Sequence, residues 1–215
     1  MKLLLMSSTF TNNKLKDTFL NLLSKPPKEN KVLIIHQVDY IKQTYPEYTE
    51  LAEYMVPRDT KTYTELGIPR ENITDYDTAN KSKPDLSKID VIHVEGGNVY
   101  YYLKQFRENG YMDDIRGFIE RDGVYVGISA GSTIMSRVVD EKLTSDENSF
   151  GLKDVSGFGY VDFNLLVHWD TKDEKYLTEF IKYSWEKDKK VISLSDQQAI
   201  LVTDNLWKII SPDII

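Results

Sequence analysis

The chain has 215 residues, 40% of them hydrophobic and 28% charged, a length and balance suited to one α/β domain with a full core. Its formal net charge is -7, with Lys and Arg scattered, which excludes the basic face that a nucleic-acid partner requires. It contains no cysteine, and so no disulfide, no thiolate metal site and no cysteine nucleophile.

Taken in chain order, apolar runs of strand length alternate with amphipathic segments of helix length. That is the pattern of a mostly parallel sheet covered on both faces. The opening Met1-Lys2-Leu3-Leu4-Leu5-Met6 stops at Ser7, too short for a secretory leader, so Leu3 to Ser7 reads as a buried first strand. No stretch approaches the roughly 20 apolar residues of a membrane span. A cytoplasmic protein with no membrane partner is the expectation. Leu15 to Leu23 reads as a helix, ended by the loop Lys25-Pro26-Pro27-Lys28. Val32 to His36 is a strand, Tyr48 to Val56 a helix and Ile73 to Tyr76 a short strand.

Ile89 to Val94 is a continuous apolar run, as a central strand requires. Glu95-Gly96-Gly97-Asn98 breaks it, and Val99 to Arg107 resumes with helical spacing. Met112 to Arg121 is a further helix with Gly123 as its expected C-cap. Val124 to Val126 is a strand, and Ser132 to Val138 is compatible with a helix. Glu141 to Tyr160 is polar and glycine-containing, a long loop or small hairpin. Phe163 to Val167 (strand), Glu174 to Trp185 (helix) and Val191 to Leu194 (strand) follow. Ala199 to Val202 and Leu206 to Ile210, joined by Thr203-Asp204-Asn205, read as a closing β-hairpin. One domain covers residues 1–215.

Between the strand Val124 to Val126 and the segment after it lies Gly127-Ile128-Ser129-Ala130-Gly131. A serine projected from a tight strand-to-helix turn has a free hydroxyl, and the chain passes so close on either side that glycine is wanted there. Ser129 is therefore the candidate nucleophile. The alternative is a glycine-lined turn with a capping serine. Gly96-Gly97 ends another central strand, where ligands of open α/β sheets bind. The N–H groups of Gly97 and Ala130 are candidate oxyanion donors, and Asn98 is a candidate helix cap and substrate contact.

Only three histidines exist. His93 lies inside an apolar strand and His36 closes one, whereas His168 follows the strand Phe163 to Val167, so His168 is preferred over His36 as general base. For the orienting acid, Asp196 is favoured, with Asp146 as the alternative and Asp170 too near His168 in sequence.

These residues resemble peptidase family S51, which includes dipeptidase E and cyanophycinase. The likeness runs from Lys2 to Ser7 through Gly96-Gly97-Asn98 and the Gly-x-Ser-Ala-Gly elbow to His168. It implies a three-layer fold like class I glutamine amidotransferases, flavodoxin-like, with serine in place of cysteine. It also implies a serine peptidase in which Ser129, His168, Gly97 and Ala130 take the roles above, with no metal or organic cofactor and a short peptide as substrate. Either Asp196 or Asp146 would complete the triad. Two departures separate the chain from the dipeptidase branch: Glu95 replaces a third glycine, and Asp170 to Lys175 replace an arginine-rich helix. Aspartyl specificity is therefore not implied. Choosing Asp196 gives the order Ser, His, acid, unlike an α/β-hydrolase; choosing Asp146 would restore the hydrolase order. An esterase or amidase with the same machinery, or a non-catalytic ligand-binding relative, are the rivals. The 14 tyrosines are compatible with a homodimer interface, although such residues more often pack internally.

Overall fold

In the computed structural model residues 1–80, 82–204 and 206–212 are described. Five strands run parallel: β1 (Lys2–Met6), β2 (Val32–His36), β3 (Ile73–Asp77), β4 (Val91–Val94) and β5 (Val124–Ile128). Two more, β8 (Ala199–Thr203) and β9 (Leu206–Ile210), run antiparallel beyond β1, in the order β3-β2-β4-β5-β1-β8-β9. The closing hairpin read from sequence is thus present; Asn205 of its connecting turn lies outside the described residues.

Alternation explains why the central runs are apolar throughout. Leu3 and Leu5 of β1, Leu33 and Ile35 of β2, and Ile92 and Val94 of β4 bury into one face. Leu4, Met6, Val32, Ile34 and Val91 bury into the other. Each strand residue points opposite to its neighbour, so a strand covered on both faces needs no polar position. The first face is closed mainly by α4 (Val99–Glu108) and α5 (Tyr111–Glu120), the second by α1 (Asn13–Leu22) and the long α3 (Thr49–Glu65). A short helix, α2 (Val38–Thr44), precedes α3; the sequence reading had only the start of α3.

Three local expectations are corrected. The helix expected over Ser132 to Val138 is a single turn, α6 (Ala130–Thr133), after which Ser136 and Val138 form isolated bridges to Val161 and Ser156. Hydrogen bonding to the 156–161 segment competes successfully with helix continuation there. Gly123 is not the left-handed residue after α5; Asp122 takes φ 68° and Gly123 instead makes room for the Phe118 ring. Finally, β6 (Asn164–Leu166) and β7 (Val191–Ser193) do not extend the main sheet. They pair with each other as a separate parallel ribbon, with α7 (Glu174–Glu186) between them in sequence. Among the described residues, no helix is long and apolar enough to cross a membrane.

Leu4 is fully buried at the centre of β1, between β5 and β8. Leu4→Ala should lower the unfolding free energy by about 2–5 kcal/mol, the range for a buried leucine whose cavity cannot collapse. Urea unfolding followed by far-UV circular dichroism would measure it.

Candidate active site

Three parallel strands bring their carboxyl ends together. The register pairs Met6 of β1 with Ile128 and Val94 of β4 with Gly127. The residues just beyond those ends, Ser7, Gly96-Gly97 and Ser129, therefore meet at one edge of the sheet, where ligands of open α/β folds bind.

The elbow is tight for identifiable reasons. Ser129 has φ 47° and ψ -108°, a conformation that a non-glycine residue adopts only under constraint. A Cβ on Gly131 would lie 2.1 Å from the carbonyl oxygen of Val94, and one on Gly127 would lie 2.5 Å from that of Gly131. Both glycines are thus required by close backbone approach. The turn is braced from beneath: the Ser132 hydroxyl lies 2.7 Å from the carbonyl oxygen of Met6 and 2.8 Å from that of Gly127 and shares its one proton between them, and the buried Tyr125 hydroxyl donates to the carbonyl of Gly131.

His168, itself at φ 57°, stands at the end of β6. Its Nε2 lies 3.1 Å from Ser129 Oγ and its Nδ1 2.6 Å from Asp196 Oδ1. Ser7 ties the group together: its Oγ donates to Asp196 Oδ1 at 2.9 Å and accepts the His168 N–H at 2.7 Å. Asp170 accepts the Asp196 backbone N–H. His36 lies between Asp75 and Asp77 instead of facing Ser129.

Asp146 is engaged elsewhere. Its Oδ2 accepts the N–H of Val99 at the start of α4, and burial pushes its carboxyl up to about 6. Asn98 caps the same helix, accepting from the N–H groups of Tyr100 and Tyr101 while its Nδ2 donates to the carbonyl of Glu147. Gly97 has φ 133°, and a Cβ there would strike Gln37 at 2.4 Å. Gln37 clamps the turn at both ends, accepting the Asn98 N–H and donating to the Asn98 carbonyl. Among the described residues, the N–H groups of Gly97 and Ala130 donate to no protein acceptor.

Behind this turn lies a buried ionic cluster that the sequence reading missed. Arg58 on α3 donates to both oxygens of Asp59 and, from Nη2, to Glu95 at 3.3 Å. Glu95 also accepts the N–H of Gly96. Burial and the adjacent Asp59 push the Glu95 carboxyl up. Desolvation acts upward on Asp59 too, but its hydrogen bond with Glu95 and the neighbouring cationic groups bring it down. His93 takes up Tyr63 at Nδ1, and its Nε2 lies 3.6 Å from both carboxylates with no hydrogen bond. Asp59, His93 and Glu95 offer ligand atoms within 4.8 Å of one another, the spacing of a metal site. The Arg58 guanidinium, 2.8 Å from Asp59, already supplies that cluster with a cation. Ser7 and Gln37 carried a signal, each being the first polar residue after a strand.

Ser129 opens onto a cavity of about 600 Å³, lined on one side by α2 and α3 and on the other by Gly96-Gly97, Asp146 and His168. That is within the usual size range of small-ligand sites.

Comparison with known proteins gives the family. The family model described as "Peptidase family S51" matches residues 3–210. An uncharacterized peptidase of Listeria innocua is 31% identical over 121 residues, 55% of this chain and 58% of that protein. A peptidase E of Salmonella newport is 26% identical over 161 residues, 74% of this chain and 63% of that protein. The chain thus spans about three fifths of the length of these curated relatives. A crystal structure from Listeria monocytogenes, described as a candidate peptidase E, superimposes with a TM-score of 0.73 at 21% identity, covering 99% of this chain and 98% of the other. A family model that matches nearly the whole chain shows the family: the chain belongs to peptidase family S51.

Proposed function

We propose that this chain is a serine peptidase acting on short peptides, with Ser129 as nucleophile, His168 as general base and Asp196 as the orienting acid. The observation that carries the reading is the continuous chain of hydrogen bonds from Ser129 Oγ through the His168 ring to Asp196. His168 Nε2 takes the serine proton as Oγ attacks the peptide carbonyl, then returns it to the leaving amine. With Nδ1–H donated to Asp196, Nε2 is left as the unprotonated nitrogen that the step requires. The oxyanion formed at the carbonyl is received by the N–H groups of Gly97 and Ala130, which have no competing acceptor among the described residues. Water then attacks the acyl-enzyme with the same base. Peptidase names among the relatives and a cavity sized for a few residues support this substrate class. In this reading the triad order is Ser, His, Asp, and Asp146 serves α4 and the cavity wall.

Ser129→Ala and His168→Ala should each lower kcat by at least about 10³-fold. Labelling by a fluorophosphonate should vanish in Ser129→Ala; turnover of a peptide panel at the parental rate in either variant would sink the mechanism. Asp196→Asn should cost about 10²–10⁴-fold in kcat, through loss of the correct tautomer. Asp146→Asn should stay within about tenfold, and the reverse ranking would move the acid to Asp146.

Asp146 also makes a pH signature. Its folded carboxyl is raised to about 6, above the ordinary value, so its contribution to stability is full below about pH 4 and is lost as pH rises through about 6. Asp146→Asn should lack that component. Urea unfolding of both proteins from pH 4 to pH 7 would reveal it as a difference in slope.

A further inference from the structure

We propose that the cavity beside Ser129 is a subsite for an apolar or aromatic substrate side chain, and that it discriminates against an anionic one. This deepens the reading of the chain as a serine peptidase and rests on it.

The cavity wall opposite the elbow is made by α2 and α3. Ile41, Ala52 and Met55 form its buried part, and Tyr48 and Leu51 its exposed rim. Met55 lies on the same side of the Gly96 turn as Ser129: a Cβ placed on Gly96 would lie 3.9 Å from the Met55 methyl and 3.5 Å from Ser129 Cβ. A side chain that enters this cavity from Ser129 can therefore pack on a thioether methyl and on the aliphatic carbons of Ile41, Leu51 and Ala52. Tyr48 and Leu51, each more than half exposed, leave apolar surface that an aromatic ring would cover. Met is suited to such a site, because its flexible, polarizable side chain adapts to rings of different shape.

The charges in the wall oppose a carboxylate. Arg58 is its only Lys or Arg among the described residues, and that guanidinium is already held by Asp59 and Glu95. Asp146 and Glu147 also line the cavity. An incoming carboxylate would have to draw Arg58 away from Asp59 and Glu95 while also facing Asp146 and Glu147. Lys172 lines an adjoining, smaller cavity on the Ala130 side of Ser129, where its Nζ donates to Ser145; no second Lys or Arg among the described residues lines this one, and desolvating a carboxylate there is costly. An apolar side chain incurs no such penalty.

Binding can be read without turnover. Isothermal titration calorimetry on Ser129→Ala would compare Phe-Gly, Leu-Gly, Gly-Phe and Gly-Leu with Asp-Gly and Gly-Asp. At least one order of the Phe or Leu peptides should bind tenfold or more tightly than its Asp counterpart. Equal affinities, preference for Asp, or no binding of any peptide would overturn the proposal. Placing Leu51→Lys, an exposed and fold-tolerant change, on the same background should shrink the preference at least fivefold; an unchanged preference would also overturn it. Turnover by the parental protein separates the two readings. If the preference is present but no peptide is cleaved and no fluorophosphonate label appears, the subsite stands and the hydrolytic reading falls. If label and cleavage are present but Asp substrates win, the subsite alone falls.

Discussion

The candidate site depends on β5 being hydrogen-bonded between β4 and β1 with no room to spare at its end. The Gly131 backbone approaches the Val94 carbonyl so closely that even one methyl group would collide. That contact fixes the elbow against the end of β4 and hence against Gly96-Gly97. On the opposite side Met6 accepts both the Ser129 N–H and the Ser132 hydroxyl, fixing the elbow against β1. A positive φ at Ser129 persists because both neighbouring strands determine it.

How much of this was legible in the sequence follows from which interactions are local. The strands were readable because burial on both faces leaves uninterrupted apolar runs, and Val32–His36 needed no adjustment at all. The elbow was readable because its glycines answer to steric demands within five residues. Ser7 and Gln37 were missed because their partners lie far away in the chain: Ser7 serves residues 168 and 196, and Gln37 serves residue 98. The separate β6-β7 ribbon was missed for a related reason. An apolar run announces that a strand is buried and does not say which sheet it joins. The one-turn α6 was overread because propensity in Ser132 to Val138 carries no information about the 156–161 segment that pairs with it.

Glu95 illustrates a different kind of legibility. In sequence it was a departure, an acid where the dipeptidase branch has glycine. In the structure it is the buried end of an Arg58–Asp59–Glu95 network resting directly behind the turn that carries Gly97. A buried charged network of this sort is weak support for stability, because desolvation offsets most of the attraction. Its consequence is positional: it engages the nearest guanidinium and ties α3 to the end of β4. The same residues that stiffen the turn thus set the electrostatic character of the cavity in front of it.

The β6-β7 ribbon has one last consequence. The proposed base and acid both stand on it, whereas the proposed nucleophile stands on the main sheet, and Ser7 is a hydrogen-bonded link between the two bodies. Leu165 and Leu194 bury their side chains in the same core cluster as Leu3, Leu5 and Ile92, so the ribbon is seated on the sheet by packing as well as by Ser7. The spacing of His168 and Ser129 is therefore set in part by side-chain volume in that shared core. A change of volume at Leu165 would reach the site through packing alone, without removing any of its hydrogen bonds.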